Sequence, residues 1–277
     1  MKKIIFIADL FREHFLGGGE CNDAVLIDYL ESKGHVVEKI PCQHVTKSIL
    51  NSNNFFIVGN FVQLAAAHMA SLQDKSYIIY EHDHKYLATR DPSPFKDFLA
   101  PPEMVLHREF YAKAKAVVVL STLCKGIIEK TLQIDNVHNI GCSLWSDEKL
   151  SFIESLVDTP KTKEYAIIAS PNPVKGFIAA KNYCDLNGLP YNIIQPCAEK
   201  ELLTQLAQHK MFVFFPHVLE TFCRLVAEAK MLNCGVLTKA ALLGFYSEDC
   251  RALNGHGLIT EMSRRKRSAL ELFHSLV

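Results

Sequence analysis

The chain has 277 residues, 49% of them hydrophobic, and its 30 Lys and Arg balance its 30 Asp and Glu. That length fits two domains with cores of their own. The balance of charge excludes a global field for nucleic acid or membrane and leaves only local patches. Nine scattered cysteines form no Cys-x-x-Cys pair and no metal-ligand spacing, so free thiols in a reducing compartment are expected.

The first apolar run ends at Asp9 with no small-residue cleavage site behind it, and reads as a strand rather than a signal segment. No apolar run approaches the ~20 residues of a membrane-spanning helix. A soluble, cytoplasmic protein without a membrane span is expected.

Strand-like runs alternate with helical ones at 3–8, 35–40, 54–58, 76–80 and 116–120, then at 164–169, 190–195, 211–215, 235–238 and 256–259. Continuously apolar strands in β-then-α alternation predict parallel sheets covered on both faces. The polar, Pro-containing stretch 143–163 separates the two sets, which places an N-terminal domain at 1–150 and a second at 151–277.

After the first strand, Gly17-Gly18-Gly19-Glu20 precedes a helix that closes near Gly34. Such glycines either let a phosphate approach free backbone N–H groups or form a turn that needs positive φ. The run Tyr77–Tyr80 leads straight into Glu81-His82-Asp83-His84-Lys85. Because burying those groups is costly, they are expected at the exposed end of the strand, where His-Asp-His serves hydrogen bonding to sugar hydroxyls, proton transfer or, less readily, a metal. A Pro-broken loop carrying Arg90 and Asp91 follows. Ser121 is placed to cap a helix over 122–132.

In the second half, the strand 164–169 exits through Ser170 to Lys175-Gly176 into a helix, a turn suited to a diphosphate. The run Met211–Phe215 is followed by Glu220, by Thr221 as the expected helix cap, and by Phe222, Leu225, Val226, Ala229 and Leu232 at helical spacing. Glu220 and Glu228 flank the start of that helix.

Together these features resemble retaining nucleotide-sugar glycosyltransferases of the GT-B class, which carry a glycine-rich loop after the first strand, Lys-Gly in the second domain, and Glu, seven residues, Glu. The matches are Gly17-Gly18-Gly19, Lys175-Gly176 and Glu220 to Glu228. The resemblance implies two Rossmann-like domains facing each other across a cleft. It also implies a nucleoside-diphosphate sugar as donor, a UDP-sugar foremost, with no other cofactor and no metal. Glu228 would meet the ribose hydroxyls and Glu220 the transferred sugar. The N–H groups of Thr221, Phe222 and Cys223 would lie against the diphosphate or sugar, Lys175 would neutralise the leaving phosphate, and Gly18 and Gly19 would admit the donor. The arginine the family carries ahead of the lysine is replaced by Ser170.

A narrower match, Tyr80-Glu81-His82-Asp83-His84-x-x-Leu87-x-x-Arg90, is similar to a segment of phage DNA α-glucosyltransferases that modify 5-hydroxymethylcytosine. It implies that His82 touches the sugar and Asp83 orients or deprotonates the acceptor hydroxyl. The acceptor implied is a hydroxymethylated base in DNA, in the host cytoplasm for a phage protein. A glycan or small metabolite is the alternative acceptor. A non-catalytic nucleotide-sugar-binding protein, or a sugar epimerase of the same architecture, is the alternative function. Lys125, Lys130 and the run Arg264-Arg265-Lys266-Arg267 are candidate phosphate contacts or a solvated helix face.

Overall fold

The computed structural model describes residues 2–277. The chain divides into two compact α/β units, Met1–Trp145 with Arg265–Val277, and Ser146–Arg264. Among the described residues the first unit holds β1 (Lys3–Ala8), β2 (Val36–Pro41), β3 (Phe55–Val58), β4 (Tyr77–Tyr80), β5 (Ala116–Val119) and β6 (Val137–Asn139). They form one sheet in the order β2-β1-β3-β4-β5-β6, parallel throughout. The inner strands β3, β4 and β5 are buried along their whole length, as continuously apolar strands covered on both faces should be. The edge strand β2 is half-exposed and ends at Pro41, opposite Ala8, where no N–H is left to pair.

The second unit holds β7 (Lys163–Ile168), β8 (Tyr191–Ile194), β9 (His209–Phe214) and β10 (Gly235–Thr238) in the parallel order β10-β9-β7-β8. Ile167, Val213, Phe215, Ala180 and Cys184 pack one face of this sheet. Lys161 donates to the carbonyls of Ala207 (2.7 Å) and Leu232 (2.5 Å), satisfying the ends of two helices with one cation.

Two elements differ from the sequence reading. Residues 256–259 are not a strand but the start of a helix, Gly255–Leu276. Leu258, Ile259, Met262, Ala269, Leu270 and Phe273 recur at helical spacing and are buried, a period that four residues alone do not reveal. The strand β6 was not anticipated, because three residues containing His138 and Asn139 carry no β pattern. The stretch 143–163 itself contains a helix, Asp147–Ser155, capped by Ser146, whose Oγ accepts the Lys149 N–H at 3.2 Å. Ser121 accepts the Cys124 N–H at 3.3 Å and caps the helix Thr122–Leu132, as expected.

All nine cysteines are free thiols, most of them buried. No helix among the described residues is long and apolar enough to cross a membrane.

Candidate active site

Each sheet has one point where strands not consecutive in sequence lie side by side, β1 beside β3 and β7 beside β9. Crossovers leave such a switch point in opposite directions and open a crevice beyond the C-terminal strand ends, where ligands of α/β sheets bind. The residues singled out in the sequence gather at or beside these points.

In the second unit, Lys175 follows β7 and Glu220 follows β9. Lys175 Nζ lies 2.7 Å from Glu220 Oε1, with the two side chains 40% and 15% exposed. Burial pulls the Lys175 ammonium down, but the Glu220 charge and hydrogen bond outweigh it and raise it above the usual lysine range. Gly176 has φ +69°, and a Cβ there would sit 1.7 Å from the Phe215 carbonyl oxygen. Only glycine allows the turn to pass this close to β9. The His217 N–H donates to the Val174 carbonyl at 2.9 Å, tying the two loops together.

Thr221 does not cap the following helix, which runs Arg224–Met231 behind Cys223 at φ +74°. The preceding residues pair with another loop instead of winding. Glu220 N–H donates to Leu242 (2.9 Å), Gly244 N–H to Glu220 (2.9 Å) and Phe245 N–H to Phe222 (2.9 Å), while the Phe222 and Phe245 rings meet edge to face at 5.6 Å. These bonds fix the Glu220 backbone. Burial and the Glu220 charge push the Cys223 thiol well up, so it is an unreactive neighbour.

Glu228, buried in the second turn, contacts Lys149 Nζ at 2.6 Å and Arg224 Nε at 3.9 Å. Lys149 also holds Glu199 at 2.5 Å. Arg224 was legible as an i,i+4 partner of Glu228, whereas Lys149, far away in sequence, gave no signal. Ser170 accepts the Asn172 N–H at 3.2 Å and shapes its turn.

In the first unit the glycines are not a loop ahead of the helix. Gly17 is the N-cap, with φ −93°, and Gly18 and Gly19 are the first turn of the helix Gly18–Ser32; none has positive φ. A Cβ on Gly19 would lie 3.3 Å from the His82 ring, so glycine here lets the helix close on the residue that follows β4.

The ionisable run after β4 is mostly buried, contrary to expectation, because its members satisfy one another. Lys85 Nζ donates to Glu81 (2.9 Å), Asp83 (2.7 Å) and Asn60 (3.1 Å). Glu81 also accepts from the Tyr111 hydroxyl and from the Asp83 N–H. Burial pushes the Glu81 carboxyl up, but Lys85 and the Tyr111 hydrogen bond prevail and hold it low. His84 is fully buried, 3.1 Å from the Tyr86 hydroxyl, and burial pushes it down to about 4. Asp83, with its side chain 30% exposed, is bracketed by Lys85 and Arg90. His82 Nε2 lies 2.8 Å from Asp23 Oδ1 on the first helix. Asp23 and Asn60 were not anticipated as site residues, because only the fold brings them to His82 and Lys85.

Half of the basic run is committed within the molecule, while Arg264 and Arg267 are exposed. Arg264 grips Glu261 at 2.7 and 2.8 Å, Arg265 donates to the Gly141 carbonyl at 3.0 Å, and Lys266 is buried. Lys125 faces Glu129 at 3.6 Å. Among the described residues no group of three or more His, Cys, Asp and Glu side chains is placed to hold a metal ion.

Two Rossmann-like units in one chain, each with its candidate residues at or beside a switch point, define the GT-B fold. Solved structures of this fold match the chain end to end. Anabaena HepE in complex with UDP and glucose superposes with a TM-score of 0.58 at 11% identity, covering 99% of this chain and 100% of its own. An alpha-glucosyltransferase in complex with UDP and a 13-mer DNA containing an HMU base gives 0.51 at 10% identity, covering 98% and 94%. No protein-family profile and no curated protein sequence matches.

Proposed function

We propose that the protein is a retaining, metal-independent glycosyltransferase that moves a sugar from a nucleoside-diphosphate sugar, a UDP-sugar foremost, to a hydroxyl group. The observation that carries this reading is the Lys175–Glu220 pair at the β7/β9 switch point. A glycine turn that no other residue fits holds the lysine there. Lys175 is assigned to the leaving diphosphate, where a preplaced cation stabilises charge as it develops. Glu220 takes the sugar hydroxyls, Glu228 the ribose, and the backbone of Thr221, Phe222 and Cys223 the diphosphate or sugar. Gly17, Gly18 and Gly19 give the donor close access to the first helix.

His82 is assigned to the transferred sugar and Asp83 to the acceptor hydroxyl. Asp83 meets that hydroxyl by exchanging the exposed Arg90, while Lys85 stays in place. The lead acceptor is a 5-hydroxymethylated pyrimidine base in DNA. The Tyr80–Arg90 segment supports it, as does the shared fold with the alpha-glucosyltransferase bound to HMU-containing DNA. Such a base has to be extruded from a duplex to be reached. The internal commitment of Arg265 and Lys266 favours a second reading, a glycan or small-molecule acceptor.

The test is transfer of labelled sugar from a series of nucleoside-diphosphate sugars to hydroxymethylated DNA, unmodified DNA and simple glycans. Transfer confined to hydroxymethylated DNA is expected. Transfer to glycans alone replaces the acceptor, and donor binding without transfer to any acceptor overturns the enzyme assignment in favour of a binding protein.

A further inference from the structure

The first helix carries three buried polar side chains close together, Glu20, Asn22 and Asp23, at 7%, 1% and 0% exposure. Two are anchors. Glu20 accepts from the Asn60 amide at 3.3 Å, and Asn22 Oδ1 accepts from the Ser143 hydroxyl (2.7 Å) and the Leu144 N–H (2.8 Å). Asp23 differs. Its Oδ1 meets His82 Nε2 at 2.8 Å, and its Oδ2 is buried with no hydrogen-bond partner among the described residues.

That arrangement is expensive. A buried carboxylate needs pairing and hydrogen bonds at both oxygens to offset its desolvation, and a lone oxygen without them is destabilising. Replacing the Asp23–His82 pair by apolar residues of similar size would cost folding little or nothing. The surroundings nevertheless make room for the group. A Cβ on Gly59 would lie 2.9 Å from Asp23 Oδ2, so the chain keeps a notch open beside an oxygen that bonds nothing. Costly buried polar groups of this kind are kept where a site uses them.

His82 receives the benefit. Its ring is held by Tyr80 at 4.3 Å between centroids and by the Gly19 turn. The carboxylate fixes which nitrogen carries a proton: Nε2–H is donated to Asp23, which leaves Nδ1, buried in this structure, as the ring's side toward a sugar hydroxyl once the donor is bound. We infer that Asp23 is a positioning residue for sugar transfer, setting the tautomer and ring orientation of His82 from behind. This rests on the glycosyltransferase reading given above.

The test uses the full chain with Asp23→Asn and Asp23→Leu, and reads two things: the long-range proton–nitrogen spectrum of the His82 ring, assigned by comparison with His82→Gln, and the kinetics of sugar transfer. In the unsubstituted protein His82 is expected as the Nε2–H tautomer. In Asp23→Asn the tautomer balance shifts and kcat falls about 100-fold, with the donor KM within about threefold of its original value. Asp23→Leu leaves the His82 Nε2–H without its acceptor and melts lower, so positioning is separated from folding by Asp23→Asn, which keeps its fold at the assay temperature while impaired in transfer. An Asp23→Asn protein that keeps its kcat within about threefold overturns the inference. So does an Nδ1–H tautomer in the unsubstituted protein. If no donor and acceptor pair gives transfer, the functional reading fails on its own, and an unchanged ring spectrum in Asp23→Asn then removes the Asp23–His82 coupling as well.

Discussion

The ionisable cluster of the first unit and the Lys175–Glu220 pair of the second treat charge in opposite ways. In the first unit, Glu81, Lys85, His82 and Asp23 are buried and locked into one another, so their positions belong to the folded core. In the second unit, Lys175 and Glu220 form one half-exposed pair on a turn. Buried ions resist rearrangement because unpairing either one leaves a charge in a poor solvent. An exposed pair exchanges partners at little cost. Under the proposed function, the buried cluster would hold its groups rigidly while the half-exposed pair would exchange partners with a charged donor.

The largest effect expected from this contrast is on stability. Lys85→Met strands Glu81 in the core and should cost about 3–5 kcal/mol, whereas Lys175→Met should cost no more than about 1 kcal/mol. Urea denaturation measures both, and equal costs would break the comparison. The next is a pH effect from His84. Its folded-state value, about 4, lies below the ordinary 6.5, so the unfolded chain binds the proton first and stability falls as pH drops from 6.5 to 4. The loss amounts to about 3 kcal/mol. His84→Gln should flatten that part of the stability curve; an unchanged slope would show that His84 is not held neutral by burial.

A third effect is expected at Gly176→Ala. The left-handed backbone alone costs about 1–2 kcal/mol, the collision with the Phe215 carbonyl adds to it, and the displaced Lys175 should weaken donor binding in a titration with UDP. Donor affinity equal to that of the unsubstituted protein would separate the turn from the grip. The smallest effect concerns Arg267, which with Arg264 is an exposed member of the basic run. If DNA is the acceptor, Arg267→Ala should lower the slope of log affinity against log salt by about 1, and no change would leave the run a purely internal device.

How much of this was legible in the sequence follows from the range of the forces involved. Continuously apolar runs gave the strands, with their alternation giving two parallel sheets, because burial on both faces is a local composition signal. Lys175-Gly176 and the Glu220 to Glu228 spacing were legible because the turn and the helix are built from neighbouring residues. The true helix start at Arg224 was hidden, since hydrogen bonds to residues 242–245 hold Glu220 to Phe222 out of the helix. Asp23, Asn60 and Lys149 gave no signal either. Each reaches its partner across tens of residues, and a buried Asp on an amphipathic helix reads as its solvent face until the fold places it. The run after β4 was expected at the surface because each charge was considered alone, while in the fold each supplies the other's missing solvent.

The most direct test of the account is proton NMR of the protein with a UDP-sugar, following the anomeric proton of the sugar as it leaves UDP, with Glu220→Gln and Lys175→Ala alongside. The account predicts release or transfer with the anomeric configuration kept, and a rate reduced at least about 100-fold in both variants. An inverted product, or two variants as active as the original protein, would contradict it.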